Sequence, residues 1–260
     1  MQKLCIFCLI FVGILSSCIS HKDAINFQGE NFPPAAAKTY PNKRTPYKIQ
    51  PNDILSIKVK GIDKEAYDFM NLEPEGVLNA FNAASLFVNG YSVNDSGYVY
   101  LPVIGLLKVS NLTLNETKAL VQNAVNKQLK NTTVFVSMIS FKVSVMGEVK
   151  NAGQYYNYNN QLTILEALSL AGDVTDFGNR KNITLIRQNE QGNEVVRLDL
   201  TNPNLVMSKY YYLLPNDVVY VQPLKAKFTR QNAANVGIIA SVLTALALIA
   251  SVIVSANNAR

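Results

Sequence analysis

The sequence predicts an α+β protein: two small mixed α/β domains followed by a C-terminal transmembrane helix. Three observations carry that expectation. Short stretches rich in β-branched residues alternate with two helices, each announced by a Thr-x-x-Glu capping signal. An eleven-residue pattern, Tyr-x-(Ile/Leu)-x-Pro-Asn-Asp-(Ile/Val)-(Leu/Val)-x-(Ile/Val), occurs over 47–57 and again over 211–221. A run without a charged residue, 236–254, lies close to the C-terminal residue Arg260.

The first element in order is a secretory signal over 1–17. Lys3 precedes an apolar run from Leu4 to Leu15, and Ser16 and Ser17 follow, the order of charge, hydrophobic core and small residues that marks such a signal. The run is too short to span a bilayer as a helix. It ends Leu15-Ser16-Ser17-Cys18, a lipobox-like ending that assigns lipidation to Cys18. An ordinary cleaved signal beside a chance cysteine is the alternative. Cys5 and Cys8 leave with the signal, so Cys18 has no partner for an internal disulfide, although the signal directs the chain to an oxidising compartment. Acylation of Cys18 explains that usage. Residues 18–46 are rich in Asn, Lys and Pro without periodicity and read as a flexible tether. The tether holds His21, the only histidine, as a solvated bystander.

The first domain is expected over 47–140. Residues 54–59 read as a strand, and an acidic irregular stretch follows over 62–90. Asp95-Ser96-Gly97 is turn chemistry between two extended segments. Thr113 and Glu116 form a capping box before a helix whose apolar face is Leu120, Val121, Ala124, Val125 and Leu129. Residues 133–140 return as a strand.

The second domain is expected over 141–224. Val143, Val145 and Val149 lead through a strand into a turn that ends at Gly153. Thr163 and Glu166 open a short helix that closes at Gly172. Residues 183–187 and 194–200 read as a hairpin, and the second Pro-Asn-Asp strand completes the unit. In both copies proline fixes φ and Asn and Asp hydrogen-bond the turn backbone just before a β-branched run, so the tripeptide is a strand-entry device. Two turns alike by chance is the bland alternative, and it weakens because tyrosine and the apolar positions match as well.

Beyond a linker over 225–235, a helix over 236–254 would be roughly 28 Å long, enough for a hydrocarbon core of roughly 30 Å. The transmembrane helix is assigned to 236–255. Gly237, Ser241, Thr244, Ser251 and Ser255 share a small, hydroxylated face, while Ile239, Leu243, Leu246, Ile249 and Ile253 lie elsewhere. That face suits helix packing or a wet lumen. A plain tail anchor whose serines bond their own helix carbonyls fits equally.

Enzyme chemistry finds little support. One tether histidine and no thiol after Cys18 leave no Ser-His or Cys-His arrangement and no metal-ligand cluster. Glu148 with Asp173 or Asp176 is a conceivable carboxylate pair, but nothing in the spacing requires it. The stretch from Gly147 to Gly153 lacks the Gly-Lys-Ser/Thr of a phosphate loop. The net charge of +6 favours anionic glycans or phospholipid heads and does not demand nucleic acid.

Taken together, these segments resemble the outer-membrane polysaccharide export (Wza-like) lipoprotein family. YKIQPNDILSIKV resembles the start of its polysaccharide-export domain, and YSVNDSGYVYLPVIGLLKVSNLTLNETKALVQNAV resembles the core. The stretch from VSVMGEVKNAG to NITLIR resembles a soluble-ligand-binding β-grasp (SLBB) domain, with LLPNDVVYV as its closing strand. Asn111 stands where glycine is usual, and Lys118 follows Glu116-Thr117 where the family prefers Glu-Ala. The chain holds one β-grasp domain where some members have more. The resemblance implies a homo-oligomeric ring in the outer membrane, lipid-anchored, with its domains in the periplasm. It implies passage of capsular or extracellular polysaccharide, fed by an inner-membrane polysaccharide co-polymerase or synthesis complex. It implies no cofactor, no metal and no catalytic residue. A structural or glycan-binding lipoprotein with a C-terminal anchor and no pore is the competing expectation.

Overall fold

A computed structural model describes residues 25–28, 37, 39–42, 44–61, 71, 90–189 and 192–258, with part of the side chains in 230–258. The signal over 1–17, Cys18 and His21 lie outside the described residues, as does most of the acidic stretch over 62–89.

The first unit is a three-stranded antiparallel sheet. Strand β1 (Ile54–Gly61) runs between β2 (Tyr91–Ser92) and β5 (Thr132–Met138). Its side chains alternate as a half-buried strand must: Leu55, Ile57 and Val59 are buried, Lys58 and Lys60 exposed. Strands β3 (Tyr98–Leu101) and β4 (Gly105–Lys108) form a separate hairpin. Helix α1 (Leu114–Val125) starts at the expected capping box: Glu116 N–H donates to Thr113 Oγ1, and Thr113 N–H donates to Glu116 Oε2. Val121 and Val125 are fully buried. Gln122 stitches the helix to the outer edge of β5. Its Nε2 donates to Thr132 O (3.0 Å) and its Oε1 accepts from Val134 N–H (2.8 Å), satisfying edge groups that would otherwise be open.

The second unit is a mixed five-stranded sheet. Strands β6 (Lys142–Gly147), β7 (Gly153–Tyr156), β9 (Gly178–Asn189), β10 (Gly192–Leu198) and β12 (Val218–Pro223) are ordered β10-β9-β12-β6-β7. Only β12 and β6 are parallel. A short pair, β8 (Leu162–Thr163) with β11 (Tyr212–Leu213), stands beside it. Helix α2 (Ile164–Leu170) opens at the Thr163–Glu166 box and buries Ile164, Ala167 and Leu168. Gly147 sits where β6 meets β12 with φ +90°. A Cβ there would fall 2.1 Å from Val221 O, so only glycine fits.

The two units abut through residues 139–141. Ile139 N–H donates to Ile54 O (3.0 Å), and Ser140 Oγ accepts from Ile54 N–H (3.0 Å). Phe141 and Leu213 are buried at the seam, and one continuous apolar core runs through both units.

Several expectations are modified. The turn at 95–97 is present, with Gly97 N–H on Asn94 O (2.8 Å), but the strands it joins pair with others. The hairpin lies one step later, around Pro102 and Val103, where Val103 adopts φ +65°. Strand β9 begins at Gly178, five residues before the expected 183. Residues 225–235, expected as a linker, are helical: α3 runs without a break over Lys225–Asn258. The tether segment is held at several described points. Phe27 and Gln28 N–H donate to Leu200 O and Thr201 O (3.1 and 2.6 Å), Asn42 Nδ2 bonds Val206 O, and Arg44 bonds Asn160 O. Among the described residues no helix is long and apolar enough to cross a membrane. The transmembrane assignment over 236–255 is corrected accordingly to a helix whose crossing the structure does not support. Val236, Gly237, Ile239, Ser251 and Ile253 are among the side chains outside the description.

Candidate functional site

The repeated Pro-Asn-Asp turn is the first place where local sequence builds something specific. In each copy the Asp N–H donates to the carbonyl three residues back, Asp53 to Gln50 and Asp217 to Leu214, both at 3.2 Å. In each the asparagine takes a left-handed conformation, Asn52 at φ +70° and Asn216 at φ +66°. Asparagine tolerates that region better than other non-glycine residues. Each Asp carboxylate then reaches back to the N–H that opens the turn, Gln50 at 2.9 Å and Leu214 at 2.7 Å. Each turn launches the middle strand of its sheet, β1 or β12.

Both carboxylates are buried, and burial pushes both upward from the ordinary aspartate value. Asp53 is opposed by the Gln50 N–H and the Tyr47 hydroxyl, which donates to Oδ2 at 2.9 Å. Asp217 is opposed by Arg187, whose Nε and Nη2 donate to Oδ1 and Oδ2 at 3.0 and 2.7 Å. Arg187 also bonds Tyr212 O at 3.0 Å. Burial first, then the carboxylates of Asp53 and Asp217, push the Tyr47 hydroxyl far above its ordinary value, so it remains a donor at physiological pH. Tyr47 of the first copy and Leu213, Leu214 and Pro215 of the second line the same cleft, so the two copies of the pattern meet at the seam. A cleft of ≈ 130 Å³ opens there, lined by Arg44, Tyr47, Phe141, Leu213, Leu214 and Pro215 among others.

The carboxylate pair considered for catalysis is otherwise engaged. Glu148 pairs with Lys227 and accepts from Thr175 Oγ1 at 2.9 Å; the Lys227 ammonium holds it below the usual carboxylate range. Burial raises Asp173, but the bidentate Arg180 guanidinium and the Val174 N–H outweigh it, so the net shift is downward. A general acid needs the opposite shift. No group of three or more His, Cys, Asp or Glu stands together for a metal among the described residues.

Helix α3 leaves the second unit at the same place. Leu224 N–H donates to Phe177 O (2.7 Å), and the Glu148–Lys227 pair clamps its first turn. Of the face singled out in the sequence, Ser241, Thr244 and Ser255 are exposed, and the side chains of Gly237 and Ser251 lie outside the described residues. The Ser241 hydroxyl donates to Ile238 O (2.7 Å) and the Thr244 hydroxyl to Ser241 O (2.8 Å), so both satisfy their own helix backbone. Leu243, Leu246 and Ile249 are exposed too. Cys18 lies outside the described residues.

Sequence reasoning missed Arg187, Lys227 and Arg180. Each is far in sequence from its carboxylate or tether partner. One signal was available: a Pro-Asn-Asp aspartate followed at once by a strand running into the core must be buried and requires a partner.

Residues 41–139 match the family model described as polysaccharide biosynthesis/export protein, and residues 141–221 match that of the SLBB domain. The chain is 31% identical over 157 residues to the EPS I polysaccharide export outer membrane protein EpsA of Ralstonia nicotianae (strain ATCC BAA-1114 / GMI1000). That alignment covers 57% of this chain and 40% of the relative. It is 30% identical over 154 residues to the protein of the same name from Ralstonia solanacearum, covering 57% and 41%. The chain thus spans about two fifths of the length of these relatives. The two matched modules adjoin at residues 139–141, where the fold places its seam, and the chain belongs to the polysaccharide export family that carries an SLBB domain.

Proposed function

We propose that the chain is a subunit of an outer-membrane channel that exports capsular or extracellular polysaccharide from the periplasm to the cell surface. The observation that carries this reading is the contiguous order of an export module over 41–139 and an SLBB module over 141–221, each matched by its own family model. The names of the relatives, outer-membrane export proteins, support it. In this reading Cys18 is acylated and holds the N-terminus in the inner leaflet, with the tether over 18–46, the export domain over 47–140 and the SLBB domain over 141–224 in the periplasm. The uncharged run over 236–254 gives α3, in this reading, an apolar surface that packs against the same helix of neighbouring copies, with its root at 225–235. One helix cannot enclose a conduit, so copies assemble in a ring, and an inner-membrane polysaccharide co-polymerase or synthesis complex supplies the polymer. The protein conducts the chain and does not cut it.

The competing reading is a structural or glycan-binding lipoprotein with a C-terminal anchor and no pore. The Ser241 and Thr244 hydroxyls donate to their own helix and keep lone pairs free to accept, which either reading allows. Single cysteines introduced as Thr244→Cys and Leu246→Cys separate the two readings. A water-soluble thiol reagent should modify the first and spare the second if a lumen exists, whereas silence at both leaves an anchor.

Export itself is tested by deleting the gene in its own host. Polymer of normal length should accumulate inside the envelope and vanish from the surface. Shortened or altered chains at normal surface abundance would point to an enzyme. Polymer displayed normally would end the export reading.

A further inference from the structure

The cleft of ≈ 130 Å³ at the seam is built by both modules. Arg44, Tyr47 and Asn115 come from the export module, and Asn160, Leu214 and Pro215 from the SLBB module. Its floor is apolar: Phe141 and Leu213 are buried, and Tyr47, Leu214 and Pro215 are half-buried beside them. Its rim is polar. Arg44, Asn115 and Asn160 are exposed there, each from a different chain segment. An apolar floor under a few convergent polar groups is the common form of a small-ligand site. A cavity of about 150 Å³ holds a six-membered carbon ring, so the cleft has room for one sugar ring.

The rim groups are held in place and keep capacity to bind. Buried Asn157 folds the loop over 157–161 back on itself. Its Nδ2 donates to Asn159 O (2.7 Å) and Gln161 O (3.0 Å), and its Oδ1 accepts from Asn159 N–H (3.2 Å). The Asn160 carbonyl in that loop accepts from Arg44 Nη2, which fixes the guanidinium at the rim. That bond uses one of five N–H donors. The side-chain amides of Asn115 and Asn160 make no hydrogen bond among the described residues, and each offers two donors and an acceptor. Arg44 is the one charged side chain among the described residues that line the cleft. Glu116, next to Asn115, is engaged in its capping box, where it accepts from the Thr113 N–H and hydroxyl (2.7 and 2.8 Å). Asp53 and Asp217 are buried and already bonded by Tyr47 and Arg187. A guanidinium without an opposing carboxylate, beside two unbonded amides, fits a ligand that carries a carboxylate and hydroxyls.

We infer that the seam cleft is a subsite for one uronate residue, a sugar ring bearing a carboxylate, of the exported polymer. Arg44 takes the carboxylate, Asn115 and Asn160 take ring hydroxyls, and Tyr47, Leu214 and Pro215 receive the apolar face of the ring. The inference rests on the export reading only for the source of the sugar, which it narrows to an acidic polysaccharide. Neither module alone carries all three rim groups, so the site exists only where the two adjoin.

Saturation-transfer NMR on the full-length protein in detergent reads the subsite directly. The probes are the methyl glycosides of glucuronic and galacturonic acid, set against those of glucose and galactose. The uronates should bind, and the neutral sugars should bind about fivefold more weakly. Arg44→Gln should weaken uronate binding by about tenfold and abolish the preference over neutral sugars. Asn115→Ala should weaken both classes alike, by about threefold. Lys60→Gln, which removes an exposed cation outside the cleft, should change neither. Uronates that fail to bind overturn the inference, and so does a preference that survives Arg44→Gln. An equal loss with Lys60→Gln also overturns it, by making diffuse positive charge the cause. Surface display of polymer after gene deletion is scored separately. Uronate binding with display unaffected refutes the export reading and leaves the subsite. Lost display with no uronate binding refutes the subsite and leaves the export reading.

Discussion

The two Pro-Asn-Asp turns have nearly the same backbone and different chemistry. Asp53 and Asp217 close the same turn, accept from the same relative N–H and start the middle strand of their sheets. The tyrosine six residues earlier is present in both copies. In the first, Tyr47 gives its hydroxyl to Asp53. In the second, Tyr211 turns away, packing edge-on against Tyr212 with ring centroids 5.3 Å apart, and Arg187 of β9 takes the carboxylate instead. The local motif therefore determines the turn, and the tertiary neighbour determines whether its buried charge meets a neutral hydroxyl or a cation.

The difference predicts unequal costs. Asp217→Ala would leave Arg187, 12% exposed, without its counter-charge, a loss of about 3–5 kcal/mol in unfolding free energy. Asp53→Ala removes hydrogen bonds to a neutral hydroxyl and one N–H, a loss of about 1–3 kcal/mol. Denaturant unfolding of the full chain in detergent, followed by tyrosine circular dichroism, compares them. Equal losses would mean that the ion pair contributes nothing beyond the turn. Replacing the pair together, as Arg187→Met with Asp217→Leu, should cost less than Asp217→Ala alone, because no unpaired charge remains.

A smaller effect should be shared by both turns. Asn52→Ala and Asn216→Ala each force an alanine into the left-handed region, at about 1–2 kcal/mol, and Asn→Gly at either site should cost much less. A difference between the two sites would break the claim that the turns are equivalent.

The smallest effect is pH dependence at Asp53. Its folded value is raised above the unfolded one, so its contribution to stability is fully present below the unfolded value of roughly 3.9 and is lost as pH rises through the folded value. Asp53→Asn cannot titrate. Its deficit relative to the natural chain should therefore be largest below about pH 4 and shrink toward neutrality. A deficit that grows with pH would reverse the assigned sign.

What could be read from the sequence divides along the same line. Both capping boxes were legible because Thr113 with Glu116, and Thr163 with Glu166, interact across three residues. The strand-entry role of the repeat was legible for the same reason. The hairpin at 101–105 was not, because Val103 at φ +65° carries none of the usual chemistry of a turn. The family departure at Asn111 has a local explanation: its φ is +64°, where asparagine is the best substitute for glycine. Arg187 with Asp217, Lys227 with Glu148, and Arg180 with Asn26 were beyond sequence reasoning, since only the folded sheet brings them together. The hold of the β-grasp unit on residues 25–28, Asn42 and Arg44 was hidden by a composition typical of tethers. In α3, composition revealed an apolar helix but not its start at Lys225, eleven residues before the uncharged run.

The channel assignment stands or falls on assembly, because one helix from one chain cannot enclose a path for a polymer. Electron microscopy of the purified full-length protein in detergent examines this directly. The account predicts closed rings of identical copies with a central lumen continuous from the periplasmic units through the bundle of α3 helices. A population of single copies, or of compact clusters without a lumen, would contradict it.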